Sequence, residues 1–189
     1  MKKIIALIVI FCAFNVARVE AQIDSKPVAE FEFTVPTSYD HDNQIDVSVK
    51  RAKLDKLYSS VENLTSENFA KVTNKLVSGK TYIVKIFEMN PEGATSQECL
   101  AFLKNQDVIL VGAQGLTLVY DLMKEKLPKD KVIFSFDKKE NLWTSSDGNH
   151  GIPFLRTYTK EEGDYAFGVN TFEYDFVGNN GCLMAFFEK

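Results

Sequence analysis

Thr81-Tyr82-Ile83-Val84-Lys85-Ile86-Phe87, then Thr95-Ser96-Gln97-Glu98-Cys99, then Val108-Ile109-Leu110-Val111-Gly112-Ala113-Gln114-Gly115, decide the fold class of this chain. In the first stretch Tyr82, Val84 and Ile86 share one face, and Thr81, Ile83, Lys85 and Phe87 share the other. That two-residue period belongs to a strand. Asn90-Pro91-Glu92-Gly93 follows as a turn, with the fixed φ of proline where a turn uses it. Thr95 and Glu98 have the spacing of a capping box and predict a short helix carrying Cys99, Phe102 and Leu103. Val108 to Val111 is a continuous apolar run, the pattern of a strand covered on both faces. Gly112-x-x-Gly115 then leads into a helix with Leu116, Val119, Met123 and Leu127 inward, stopped by Pro128. Val132 to Phe136 reads as the next strand. Strands alternating with helices favour parallel crossovers.

After Asp137 the pattern changes. Asp147-Gly148, Glu162-Gly163 and the stretch from Gly178 to Gly181 are turn signals between alternating aromatic runs, which predicts an antiparallel meander. Tyr165, Phe167 and Val169 share one parity, while Phe172, Tyr174 and Phe176 take the other. A strand cannot change faces in mid-run, so a bulge or a break is expected near Asn170-Thr171.

On the N-terminal side, Leu54, Leu57, Val61 and Leu64 recur at helical spacing, and Ser66 to Leu76 fits a second helix stopped at Gly79. Residues 22–46 hold two prolines and a polar run, and read as loosely ordered, with an edge strand at Phe31, Phe33 and Val35. The expected class is α+β. One domain covers 47–189, with N-terminal helices, a β-α-β-α-β middle and a C-terminal antiparallel meander.

Met1-Lys2-Lys3, the apolar run Ile4 to Phe14 and Val19-Glu20-Ala21 have the order of an export signal, which places a signal peptide at 1–21. The apolar run is shorter than the roughly 20 residues needed to span a bilayer. Phe11 before Cys12 does not suit a lipid-anchor signal, so Cys12 belongs to the removed segment. The chain has a formal net charge of −4, and losing Lys2, Lys3 and Arg18 with only Glu20 makes the remainder more acidic. Phosphate binding calls for a basic surface, so nucleic acid is not an expected partner. No membrane span is expected either.

Cys99 and Cys182 remain after export. In an oxidising compartment they form one disulfide, or else stay as two buried thiols. Cys99 with His150 is the sharpest catalytic constellation. A thiol in the first turn of a helix is favoured as thiolate by the helix dipole, and a histidine on a later strand can serve as its base. Leu127-Pro128-Lys129-Asp130-Lys131-Val132-Ile133-Phe134 resembles the Pro-Gly-Asp-Leu-Val-Phe stretch that precedes the histidine in papain-like, NlpC-type exported cell-wall amidases. That resemblance covers scattered residues. It departs where those enzymes follow the cysteine with Ser-Gly, since Leu100-Ala101 stands here.

Other candidates have plainer readings beside them. Gly112-x-x-Gly115 could hold an anion on free N–H groups, yet it lacks the third glycine of a dinucleotide loop and the lysine of a P-loop, and a close-packed turn explains it. Asp40, Asp42, Gln44 and Asp46 alternate like a calcium loop, but Ile45 stands where the loop requires glycine and Arg51 where it requires glutamate. Glu173 and Asp175 share a strand face as glycosidic carboxylates could, or as the wet side of a strand. Lys50, Arg51, Lys53 and Lys56 read as a solvated helix face, and Asn63-Leu64-Thr65 matches a glycosylation sequon. The aromatic residues crowd the C-terminal part. Trp143, with one or two tyrosines, would form a platform for sugar or protein if exposed.

The resulting expectation is an exported soluble binding or interaction domain, periplasmic or secreted, for an unknown protein or carbohydrate ligand. It has no cofactor and no metal. The alternative is a papain-like thiol hydrolase acting on peptide or cell-wall amides through Cys99 and His150.

Overall fold

The computed structural model describes residues 23–52, 60–158, 165–174 and 180–189. Its elements in chain order are β1 (Ala29–Thr34), α1 (Gln44–Arg51), β2 (Thr81–Glu88), α2 (Ser96–Asn105) and α3 (Gly112–Met123). There follow β3 (Val132–Ser135), β4 (Trp143–Thr144), β5 (His150–Thr157), β6 (Tyr165–Thr171) and β7 (Gly181–Glu188). The seven strands form one sheet in the order β1-β2-β7-β3-β5, and β4 and β6 both pair with β5. Because β6 runs along Gly151 to Thr157, β3 and β4 share the other edge of β5, one at each end. All pairs are antiparallel except β3 with β7. The class is α+β, as expected.

The sheet is covered on both faces. Side chains alternate along β7: Cys182, Met184 and Phe186 join one apolar cluster with α3, and Leu183 and Ala185 join the other with α2. β2 divides in the same way, with Tyr82, Val84 and Ile86 on the α3 side and Phe87 on the α2 side. The periodicity of Thr81 to Phe87 is thus realised.

Several expectations need correction. The parallel β-α-β-α-β series does not form. Val108 to Val111 contributes only a single bridge, from Ile109 N–H to the Phe186 carbonyl at 2.7 Å, just past the end of β3. β7 instead enters between β2 and β3, so those two strands run in opposite directions. For the same reason the C-terminal meander ends at β6. Residues 66–76 are not a helix. Their polar groups are bound to distant partners: Thr73 N–H donates to Asp137, Asn74 N–H donates to the Leu110 carbonyl, and Ser66 pairs with Asp46. The Ser66 hydroxyl accepts from Asp46 N–H in the first turn of α1, a helix that Asn43 leaves without a side-chain cap. Of the helix expected over Leu54 to Leu64, residues 53–59 lie outside the described residues, and Val61–Asn63 is a single 3-10 turn. The described part of 22–46 is better ordered than its composition indicates. β1 pairs residue by residue with β2, and Ile23, Phe33 and Val35 are buried.

The expected break near Asn170-Thr171 is present. β6 ends at Thr171, and Phe172 enters the opposite cluster from Tyr165 and Phe167. Among the described residues from 152 to 187 there is no helix.

Candidate functional site

The sequence placed Cys99 and His150 together, but the structure gives each a different partner. Thr95 and Glu98 form the capping box: Glu98 N–H donates to Thr95 Oγ1 at 3.2 Å, and Thr95 N–H donates to Glu98 Oε2 at 2.8 Å. One turn into α2, Cys99 is fully buried in the cluster that holds Phe87, Phe102 and Phe136. Burial, reinforced by the Glu98 charge, pushes its thiol far above the ordinary cysteine range. Desolvation therefore outweighs the helix dipole, and the thiolate that nucleophilic attack needs is disfavoured.

The disulfide is also corrected. Cys99 and Cys182 are free, and they belong to clusters on opposite faces of the sheet. The strand itself stands between them. Burial raises Cys182 to about 12. Both thiols should resist iodoacetamide at neutral pH in the native protein and react only after denaturation. The measurement is labelled mass with and without urea; rapid native labelling of Cys99 would contradict the buried setting.

His150, at the start of β5, is bound to Glu173 in the turn after β6. Its ring Nδ1 lies 2.8 Å from Glu173 Oε1, and its backbone N–H donates to Oε2 at 3.0 Å. Lys139 reaches the same carboxylate at 3.1 Å. Burial raises the Glu173 carboxyl, but the bonds from His150 and Lys139 outweigh it and hold it at about 2. With Phe172 N–H on the His150 carbonyl at 2.7 Å, this clamp fixes the end of the β5–β6 ladder. Two candidates that the sequence raised separately, His150 and Glu173, thus meet each other. Asp175 lies outside the described residues.

Beside this clamp is a cleft of about 230 Å³. It gathers three segments distant in sequence: Ser60 and Asn63; Trp143 with Ser145, Asp147 and Asn149 to Gly151; and Val169 to Thr171. Trp143 faces Gly151 across the β4–β5 pair. A Cβ on Gly151 would come 2.9 Å from the indole and 2.5 Å from Val169, so the bare glycine lets the ring lie down there. Trp143 also lines the cleft. The polar groups around it divide into committed and uncommitted ones. Among the described residues, the side-chain amides of Asn63 and Asn170 and the Trp143 indole N–H find no protein partner, and only Nδ1 of the His150 ring is engaged. The others are engaged within the chain: Ser60 Oγ accepts Val169 N–H at 3.1 Å, and the Asp147 carboxylate accepts from Ser145 Oγ and from Asn149 Nδ2.

A second cleft, about 450 Å³, lies between α1 and α3 beside Asp121. Its carboxylate is already served by Ser48 Oγ at 2.7 Å, Gln44 Nε2 at 3.2 Å and the Arg51 guanidinium at 3.6 Å. Several of its other polar groups are engaged within the chain: Tyr39 with His41 and Gln114, and Asp40 with Asn43 Nδ2 and Asp42 N–H. Asp40, Gln44 and Asp46 thus organise the start of α1 and do not converge on one point as calcium ligands do. Of the basic cluster, Lys50 is exposed, Arg51 pairs with Asp121, and Lys53 and Lys56 lie outside the described residues.

The Gly112-x-x-Gly115 stretch, the first turn of α3, has a structural role. A Cβ on Gly115 would come 2.8 Å from the Phe186 ring, so the glycine serves close packing of α3 on β7. At Gly112 the buried Asp137 carboxylate lies against the helix start, where the chain supplies its own anion. The aromatic residues divide as well: Tyr165, Phe167, Phe172 and Phe186 are core, Tyr174 is 64% exposed, and Trp143 is half-buried in the cleft. The composition of this cleft was hard to foresee because its segments are far apart in sequence. The available signal was a lone tryptophan next to the Asp147-Gly148 turn.

Compared with protein-family models, curated proteins and solved structures, the chain matches none.

Proposed function

We propose that this chain is an exported binding domain, periplasmic or secreted, whose ligand occupies the cleft beside Trp143. The reading rests on one observation. Two amides without a partner among the described residues and an imidazole held by Glu173 line one cleft together with the Trp143 indole. A concave site with a few converging polar groups is the common form of a small-molecule site. The volume lies below the roughly 300 Å³ of a drug-sized pocket, so the ligand is small. Export rests on the lysine start, short apolar run and Val19-Glu20-Ala21 of the N-terminus. Thiol hydrolysis through Cys99 finds no support in a thiol that is buried and raised.

The test has two parts. Intact mass of the exported product should correspond to a chain beginning at Gln22. A thermal-shift screen of sugars, amino acids and small acids should yield hits that Trp143→Ala abolishes. Hits that survive Trp143→Ala but vanish in Asp121→Ala would move the ligand to the α1–α3 cleft and overturn the assignment.

A further inference from the structure

Resting on that assignment, we infer that the ligand of the Trp143 cleft is a neutral, hydroxyl-rich ring of pyranose type, taken one ring at a time. The charges of the site carry the first step. Among the described residues no lysine or arginine lines the cleft, and the nearby Lys139 is committed to Glu173. An anionic ligand would leave water without a counter-ion, at a cost that burial makes large. Asp147 is the carboxylate in the lining, and it is already satisfied by Ser145 and Asn149. A cationic ligand would have to compete with those donors. A neutral ligand meets neither obstacle.

The uncommitted groups carry the second step. The amides of Asn63 and Asn170 each offer two donors and an acceptor, and the Trp143 indole adds a donor. The His150 ring, held at Nδ1 by Glu173, leaves its second nitrogen for the ligand. A mixture of donors and acceptors on all sides suits groups that are both, and the hydroxyl is that group. A lining of donors alone would have favoured a carboxylate or phosphate. The Trp143 ring supplies the third step. A pyranose has a C–H face beside its hydroxyl edge, and an indole lying on Gly151 offers a flat apolar surface for it. The small volume admits one ring, not an extended chain.

The chain's single tryptophan makes the test site-specific, because its emission reports on this cleft alone. The probes are glucose, galactose, mannose and N-acetylglucosamine, with glucuronate and glucosamine as charged analogues and leucine as a non-sugar. At least one neutral pyranose should change the Trp143 emission saturably, and its charged analogue should bind about tenfold more weakly or worse. Asn170→Ala and Asn63→Ala, whose side-chain amides have no hydrogen-bond partner among the described residues, should each weaken that binding by about fivefold without moving the melting temperature. Equal or tighter binding of glucuronate or glucosamine overturns the neutral class. Saturable binding of leucine alone, weakened by Asn170→Ala, also overturns the sugar class while leaving the cleft as the site. Calorimetric binding of any probe with unmoved Trp143 emission overturns the cleft itself. No response to any neutral pyranose at its solubility limit overturns the inference.

Discussion

Asp137→Ala should lower the unfolding free energy by about 3–5 kcal/mol, a large fraction of what a domain of this size has to lose. Asp137 is 2% exposed and follows the end of β3. Its carboxylate accepts Thr73 N–H at 3.0 Å, Lys138 N–H at 2.6 Å, Asn141 Nδ2 at 3.4 Å and the Thr73 hydroxyl. Removing it strands several donors in a place poor in water, at about 1–3 kcal/mol for each that stays unsatisfied. The irregular segment 66–76 would lose the anchor that replaces helical hydrogen bonds. Asp137→Asn keeps one acceptor oxygen but turns an amide donor toward existing donors, so it should cost less than the alanine and more than a surface change. Urea unfolding decides the order. A loss below about 1 kcal/mol in Asp137→Ala would show that water can replace the carboxylate.

Phe186→Ala should cost about 3–5 kcal/mol, as a large aromatic deletion in a packed core does. The ring is 1% exposed and meets Phe33 and Tyr82 edge-on, with centroids at 6.0 and 6.5 Å. It also explains a smaller effect of opposite sign to what propensity predicts. Gly115 lies within α3, where glycine is about 1 kcal/mol worse than alanine. Gly115→Ala would nevertheless place a Cβ 2.4 Å from Val111 Cγ2 and 2.8 Å from the Phe186 ring. Overpacking costs about 1–3 kcal/mol, so packing wins and the substitution destabilises. The two sites touch, so they should couple: Gly115→Ala should cost less in a Phe186→Leu background than alone. Equal costs in the two backgrounds would mean that the glycine is there for another reason.

These cases show what could be read from the chain and what could not. The two-residue period of Thr81 to Phe87, the Thr95–Glu98 box and the parity change before Phe172 are local signals, and each has its counterpart in the structure. Asp137 does mark a change of pattern: among the described residues, helices lie before it and strands alone after it, apart from a 3-10 turn at Lys139–Asn141. What failed depended on long-range partners. The run Val108 to Val111 is apolar enough for a strand, but β3 and β5 already occupy the sheet beyond β7, so only Ile109 pairs. Ser66 to Leu76 has helical spacing, but Asp137, Leu110 and Asp46 take its polar groups. Cys182 lies in the continuous apolar run Cys182-Leu183-Met184-Ala185-Phe186-Phe187, which has no polar alternation to reveal its face. Its separation from Cys99 by the sheet therefore became visible only in the fold. The cleft was the least legible part, since Asn63, Trp143 and Asn170 carry no motif and meet only through the β4–β5–β6 pairing and the docking of the Val61–Asn63 turn on β6, where Ser60 Oγ accepts Val169 N–H.

The indole N–H resonance of Trp143 tests the central claim most directly, because the chain has one tryptophan and hence one such signal. In a nitrogen-15-labelled sample titrated with any ligand that raises the melting temperature, that resonance should shift progressively and saturate, together with the side-chain amides of Asn63 and Asn170. A saturating ligand that leaves the indole unmoved while shifting Gln44, Val47 and Leu122 would place binding between α1 and α3 and contradict the account.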